Sequence, residues 1–155
     1  MHTYEAKVSW TRGASEKFTD NRYSRAHQWA FDSGITVRAS SSPSVVPLPL
    51  SVADAVDPEE ALVASTSSCH MLYFLFFAAK RGFVVESYVD NASGVLEKNA
   101  AGKMSMSRIT LRPAIAFAGS PPSQADLDAL HHAAHEECFI ANSLKSEIVV
   151  EPVLQ

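Results

Sequence analysis

Two cysteines are the residues of this chain whose type and setting are best suited to chemistry. Cys69 lies inside the uncharged and largely apolar segment 61–79, and Cys138 follows a histidine-rich run. In an intracellular chain such a pair is more often catalytic, redox-active or metal-binding than a structural crosslink. Each cysteine is equally compatible with ordinary packing, because free cysteine is among the most buried residue types.

A buried thiol reacts as a thiolate only when a cation or hydrogen-bond donors stabilise the negative charge. Arginine suits that role because it stays charged and because its forked guanidinium can hold a thiolate and an oxygen together. The upstream candidates are Arg22, Arg25 and Arg38.

The composition predicts one ordinary folded domain over residues 1–155, with 46% hydrophobic and 19% charged residues. The formal net charge is −4 and the lysines and arginines are not clustered, which argues against a nucleic-acid partner. The first ten residues lack the pattern of a secretory signal, so we expect a cytoplasmic protein. Segment 61–79 is long enough to span a bilayer, but its polar residues favour a helix buried in protein.

The pattern of apolar, turn and capping residues predicts an α+β fold around one long helix. Asp57, Pro58 and Glu60 are typical of a helix start, and the helix should end near Lys80. A second helix should begin after Ser123. The predicted strands are 4–10, 28–31 and 35–39 in an N-terminal meander, 83–96 and 104–117 in a long hairpin, and 147–153 at the end.

Residues 71–79 are apolar on every side of the predicted long helix. A helix tolerates this only when protein surrounds it, and a domain of this size can hardly wrap it alone. We therefore expect a homodimer. Four phenylalanines either pack in the core or shape an apolar opening near Cys69: Phe74, Phe76, Phe77 and Phe139.

The segment from Val56 to His70, VDPEEALVASTSSCH, resembles the Asn-Pro-Glu-(Gln/Glu)-x8-Cys signature of the OsmC/Ohr family. This family comprises osmotically inducible and organic hydroperoxide resistance proteins. The spacing from Pro-Glu to Cys69 matches, Cys138 falls at the second family cysteine, and the likeness extends over nearly the whole chain. The resemblance implies an OsmC-like fold with antiparallel sheets, a long buried central helix and an intertwined homodimer.

The same resemblance implies a thiol peroxidase that reduces organic hydroperoxides during oxidative stress without a metal or another cofactor. By position, Cys69 resembles the peroxidatic cysteine and Cys138 the resolving one. Their disulfide would be recycled by a dithiol such as dihydrolipoamide. Glu59 resembles the family acid that holds an arginine in place, and the arginine candidates rank in the order Arg22, Arg25, Arg38.

Glu59 and Cys69 are ten residues apart, which corresponds to about 15 Å along one helix. This separation predicts that Glu59 and its arginine serve the cysteine of the other subunit. Two departures indicate a divergent family member: Phe139 follows the second cysteine where proline is common, and His70 follows the first where an apolar residue is frequent.

Two alternatives remain open at this point. The first is an OsmC-like dimer that has lost turnover and serves as a binding or structural protein. The second is a zinc site, because His131, His135 and Cys138 share one helix face at positions i, i+4 and i+7, and Cys69 would complete four ligands. His132 points elsewhere on that helix and should be exposed.

Overall fold

Residues 1–153 are described by the computed structural model, and they divide after Ala61 into two parts. In the first part, strands β1 (Ala6–Ser9), β2 (His27–Phe31) and β3 (Thr36–Ala39) form an antiparallel sheet in that order. A short 3-10 helix, Phe18–Asp20, lies in the connection between β1 and β2. The predicted N-terminal meander is confirmed, with strand ends that differ by one or two residues.

Helix α1 (Pro58–Lys80) begins and ends where the sequence predicts. The Asp57 carboxylate accepts the Glu60 backbone N–H at 2.8 Å, and the Glu60 carboxylate accepts the Asp57 N–H at 3.3 Å. This reciprocal pair satisfies two of the amide donors that every helix start leaves free. At the other end Gly82 adopts a left-handed conformation (φ 81°), and Phe83 N–H donates to the Ala78 carbonyl at 3.0 Å.

The predicted long hairpin exists, but each of its two strands is broken, so the prediction of continuous strands was wrong. The four resulting strands are β4 (Val84–Asp90), β5 (Ser93–Lys98), β6 (Met104–Leu111) and β7 (Pro113–Ala118). Strand β4 pairs with β7 and β5 with β6, both antiparallel. The break coincides with bonds from distant residues: the Asp90 carboxylate accepts the Arg112 N–H at 2.6 Å and the Ser67 hydroxyl, where a continuous ladder would use backbone carbonyls.

Strand β8 (Glu147–Val150) is shorter than predicted and pairs parallel with β6. It is the exception to the expected antiparallel sheets, because helices α2 (Gln124–Glu137) and α3 (Phe139–Ser143) return the chain to the same end of β6. Ser123 caps α2 as predicted, with its hydroxyl accepting the Asp126 N–H at 3.2 Å.

The core of the second part lies between α1 and α2. Phe74 and Ala78 of α1 and Leu130 and Ala134 of α2 are fully buried together. Partly buried side chains of β4 and β7 pack against this cluster. The two helices therefore meet along an apolar seam.

One face of α1 is buried in the protomer, and its residues recur every four positions: Thr66, His70, Phe74 and Ala78. Away from this stripe, Leu72 is 60% exposed and Phe76 is 54% exposed. By length and composition alone α1 is apolar enough to cross a membrane, a test that the core helix of a soluble protein also passes. The buried histidine and threonine favour protein, and not lipid, on that face.

Candidate redox site

Cys69 lies in the middle of α1, immediately before the buried His70, and is itself half-buried. The polar residues that precede it do not disturb the helix, because they bond within it. The hydroxyls of Ser65 and Thr66 both donate to the Leu62 carbonyl, at 3.0 and 2.8 Å. A regular helix thus holds the Cys69 side chain at a defined position.

Cys138 occupies the junction between α2 and α3 and is 1% exposed. Its backbone N–H donates to the His135 carbonyl at 3.3 Å, which ends α2. Its sulfur accepts the Ala141 N–H at 3.4 Å, which caps α3. Cys138 is therefore held by two helix ends at once, by its backbone at α2 and by its sulfur at α3.

The structure places the Cys69 side chain near that of Cys138, close enough to act on its proton. Burial, and then the neighbouring Cys69 side chain, raise the pKa of Cys138 from its ordinary 9.0 to about 11, while the Ala141 amide acts in the opposite direction. Both sulfurs are free thiols. Cys138 is thus protonated at neutral pH.

Within residues 1–61 a cavity of about 520 Å³ opens beside the aromatic cluster of Trp10, Phe18 and Tyr23. Two of the predicted site residues, Arg25 and Glu59, line it. The remaining lining residues are Val8, His27, Ser40, Ser41, Ser42, Val45 and Pro58. The cavity joins an aromatic wall to a cation, a carboxylate and several hydroxyls.

Arg25 is held tightly in place. Its guanidinium lies over the Tyr23 ring at 3.7 Å from the centroid and donates to the Asn21 side chain at 2.9 Å and to the Asn21 and Tyr23 carbonyls. Arg25 belongs to no ion pair among residues 1–153. Its guanidinium is therefore fixed at the cavity and forms no ion pair there among these residues.

The other two candidate arginines lie elsewhere. Arg38 is exposed and pairs with Asp54 at 2.8 Å. Arg22 is exposed, and its backbone N–H donates to Asp20 at 2.9 Å. Of these three arginines, which all lie within residues 1–153, only Arg25 lines the cavity together with Glu59. The ranking of the arginines remains a prediction, and this geometry favours the second choice over the first.

A pair of histidines, which the sequence analysis did not connect, lies between α1 and α2. His70 Nε2 and His131 Nδ1 are 3.0 Å apart, and the rings are nearly parallel with centroids 5.4 Å apart. Both residues are buried, and burial lowers the pKa of each from 6.5 to about 4. The four-residue stripe that contains His70 was the signal that could have predicted its burial.

The zinc site that the sequence left open as an alternative finds no support in this geometry. Among residues 1–153 no three histidine, cysteine, aspartate or glutamate side chains are placed to hold one metal ion. His131 is hydrogen-bonded to His70, whereas His132 is exposed as expected.

The phenylalanines named from the sequence differ in burial. Phe74 is fully buried in the core, while Phe76 and Phe139 are 54% and 66% exposed.

Comparison with known proteins identifies the family. The family model for OsmC-like proteins matches residues 51–153, which include both cysteines. The chain belongs to the OsmC-like family. It is 56% identical to an OsmC-like protein of unknown function from Vibrio cholerae, with a TM-score of 0.96 and coverage of 99% of this chain and 100% of that one. The recognition of a divergent OsmC-like member and the α+β fold are thereby confirmed.

More distant solved OsmC-like structures show the same fold. One is an organic hydroperoxide resistance protein from Elizabethkingia anophelis, 15% identical, with a TM-score of 0.70 and coverage of 98% and 94%. Another is the organic hydroperoxide resistance protein OhrB of Bacillus subtilis, 14% identical, with a TM-score of 0.66 and coverage of 99% and 98%. No curated protein matches the sequence.

Proposed function

We propose that this OsmC-like protein is a two-cysteine thiol peroxidase for organic hydroperoxides. The observation that carries the proposal is the proximity of the thiols of Cys69 and Cys138, which are 69 residues apart in the sequence. A half-buried thiol near a fully buried one is an arrangement that suits a peroxidatic and a resolving cysteine.

The proposed chemistry has three steps. The Cys69 thiolate attacks the distal peroxide oxygen, the O–O bond breaks, the sulfur becomes a sulfenic acid, and the alkoxide takes a proton from water and leaves as the alcohol. The Cys138 thiol then attacks the Cys69 sulfur and releases water, which leaves a disulfide. A dithiol reductant, of which the lipoyl type is one example, restores both thiols by exchange and is itself oxidised to a disulfide.

The environments of the two sulfurs suggest which cysteine is peroxidatic and which is resolving. Cys138 keeps its proton because burial raises its pKa to about 11, so Cys69 is the sulfur left to attack the peroxide. The Cys138 S–H then stabilises negative charge on Cys69 by hydrogen bonding before it acts as the resolving thiol.

Arg25 and Glu59 are the proposed partners of Cys69. The Arg25 charge at the cavity would stabilise the thiolate and the oxygen that leaves. Glu59 would hold the Arg25 guanidinium in place. The aromatic wall of the same cavity suits an organic substituent and thus a hydroperoxide larger than hydrogen peroxide. We propose that the other subunit of the dimer supplies both groups to each Cys69, as the ten-residue separation of Glu59 and Cys69 predicts.

We also propose that the working unit is a homodimer in the cytoplasm. Leu72 and Phe76 leave an exposed apolar surface on α1, which a second copy of the chain would cover. Light scattering on the purified protein tests this expectation, and a monomer at micromolar concentration would contradict it.

The deciding experiment is intact-mass and peptide analysis of the reduced protein after one equivalent of cumene hydroperoxide. We expect a Cys69–Cys138 disulfide in the wild type and a Cys69 sulfenic acid in the Cys138→Ser variant. Unmodified thiols in both proteins would refute the peroxidase and leave the OsmC-like dimer without turnover as the better description. Zinc bound in equal amount to the purified protein would instead favour the metal site.

A further inference from the structure

The histidine pair and the thiol pair connect the same two helices. His70 directly follows Cys69 in α1, and His131 precedes Cys138 by seven residues in α2. A displacement of α2 along α1 would therefore change the distance between the sulfurs. A disulfide forms only when the Cα atoms lie within about 4.4 to 6.8 Å, so a shift of one helical residue, about 1.5 Å, matters.

Apolar packing does not by itself set that position. The seam consists of Phe74, Ala78, Leu130 and Ala134, and contacts among such side chains are non-directional. The His70–His131 hydrogen bond is directional and short, at 3.0 Å. Phe74 packs on the His131 ring with centroids 4.5 Å apart, which ties this bond to the apolar core.

The pair is an expensive way to hold two helices together. His70 Nδ1 and His131 Nε2 are buried without a hydrogen-bond partner among the residues that the structure describes. A buried polar atom without a partner costs free energy, and apolar side chains of similar volume would avoid that cost. A polar contact retained at such a cost indicates a role in geometry and not in stability.

We propose that the His70–His131 hydrogen bond is a positioning device that sets the register of α2 on α1 and so keeps Cys138 against Cys69. The inference rests on the proposed thiol pair as the functional site. It does not require that peroxide be the oxidant. His70 and His131 are positioning residues here, since they act through the cysteines.

The contact has a defined chemical form. One imidazole nitrogen of the bond must donate and the other must accept, so both rings cannot be protonated while the bond persists. The other ionisable groups that act on the pair are Asp90 of β4 and Asp128 and His135 of α2. Burial of both rings keeps them neutral at physiological pH, in the state that the bond requires.

The test measures the thiol–disulfide equilibrium of the full chain in glutathione redox buffers, which reports the effective molarity of Cys138 toward Cys69. The variant replaces both imidazoles by apolar side chains, His70→Leu with His131→Phe. We expect the effective molarity to fall by about tenfold or more, while the free energy of unfolding of the reduced protein stays equal or rises. A purely structural pair would lose both together or neither.

The matched rescue restores the bond without the rings. The His70→Gln amide places its nitrogen near the site of Nε2, and the His131→Asn amide can turn its oxygen toward the site of Nδ1 and accept that N–H. We expect His70→Gln with His131→Asn to recover the effective molarity to within about threefold of the wild type. An effective molarity that is unchanged in the apolar variant, or that the amide pair fails to recover, would overturn the proposal.

The test of the histidine pair can fail or succeed independently of the test of peroxidase activity. Glutathione buffers exchange with the thiols whether or not they react with peroxide. A protein that is inert to cumene hydroperoxide and still shows the histidine dependence would support the positioning role and refute only the peroxidase. A peroxidase with no histidine dependence would refute only the positioning role.

Discussion

The two parts of the chain differ in the charge state of their candidate functional groups. After Ala61, the buried groups are shifted toward their neutral forms: the pKa of Cys138 is raised to about 11 and those of His70 and His131 are lowered to about 4. In residues 1–61, Arg25 presents a permanent charge at a cavity without an ion-pair partner.

The difference follows from burial. Desolvation penalises any charged form, so the packed seam between α1 and α2 can position thiols but cannot ionise them unaided. An open cavity with aromatic walls can keep a guanidinium charged and oriented. The proposed peroxidase needs both environments, and variants of the cysteines, the histidines and Arg25 test them.

The largest expected effect concerns the thiols. Cys69→Ser should lower hydroperoxide reduction by about 10³-fold or more, because the nucleophile itself is removed. Cys138→Ser should stop turnover with a dithiol but leave one stoichiometric oxidation of Cys69. Measurement of peroxide consumed per protein separates the two, and equal residual turnover in both variants would contradict the assigned roles.

The next effect concerns the cavity of residues 1–61. Arg25→Met should lower kcat/KM for cumene hydroperoxide by about 10²- to 10³-fold, because an oriented charge near the reacting oxygen is lost. Arg108→Met is the matched control, since Arg108 is exposed and pairs with Glu147 at 2.8 Å. A larger loss in an Arg22→Met variant than in Arg25→Met would restore the order that the sequence predicted.

The histidine pair should make stability depend on pH. The folded-state pKa values of about 4 lie below the ordinary 6.5, so the unfolded chain binds protons first as the pH falls. The contribution is complete above pH 6.5 and is lost as the pH falls toward 4. Between pH 7 and pH 5.5 we expect the free energy of unfolding to drop by about 2 to 3 kcal/mol.

Urea unfolding of the reduced protein at the two pH values measures this drop. The control is the variant with His70→Leu and His131→Phe, in which this component should vanish. If that variant shows the same drop as the wild type, the pH dependence belongs to other groups.

The smallest expected effect concerns the start of α1. Asp57→Ala removes the side-chain oxygen that accepts the Glu60 N–H and should lower the free energy of unfolding by about 1 kcal/mol. Asp57→Asn retains an acceptor and should lose less. Equal losses in the two variants would show that the Asp57 charge, and not its hydrogen bond, is what stabilises the helix start.

Much of the fold was predictable because its signals are local. The capping residues Asp57 and Glu60, the turn at Gly82 and the cap at Ser123 each act within a few residues of sequence. The break of the hairpin was missed because its cause is not local. Asp90 interrupts the strands by bonding to Ser67 and Arg112, which lie 23 and 22 residues away.

The candidate site divides in the same way. Cys69, Cys138 and Glu59 could be picked out because their types and spacing match a family signature. Arg25 could not be preferred over Arg22, since both sit in one short loop and only the Tyr23 ring and the cavity distinguish them. His70 and His131 were considered separately, because no sequence pattern links positions 61 residues apart.

The sequence alone therefore determined the α+β class, the bounds of α1, the two reactive candidates and the family, since caps, periodicity and spacing are properties of short stretches of chain. Tertiary packing determined the proximity of the two thiols, the pairing of the histidines and the cavity that Arg25 and Glu59 both line. Those features depend on which faces of distant elements pack together. Only that packing removes the water around a buried group, which shifts its pKa and strengthens its hydrogen bonds.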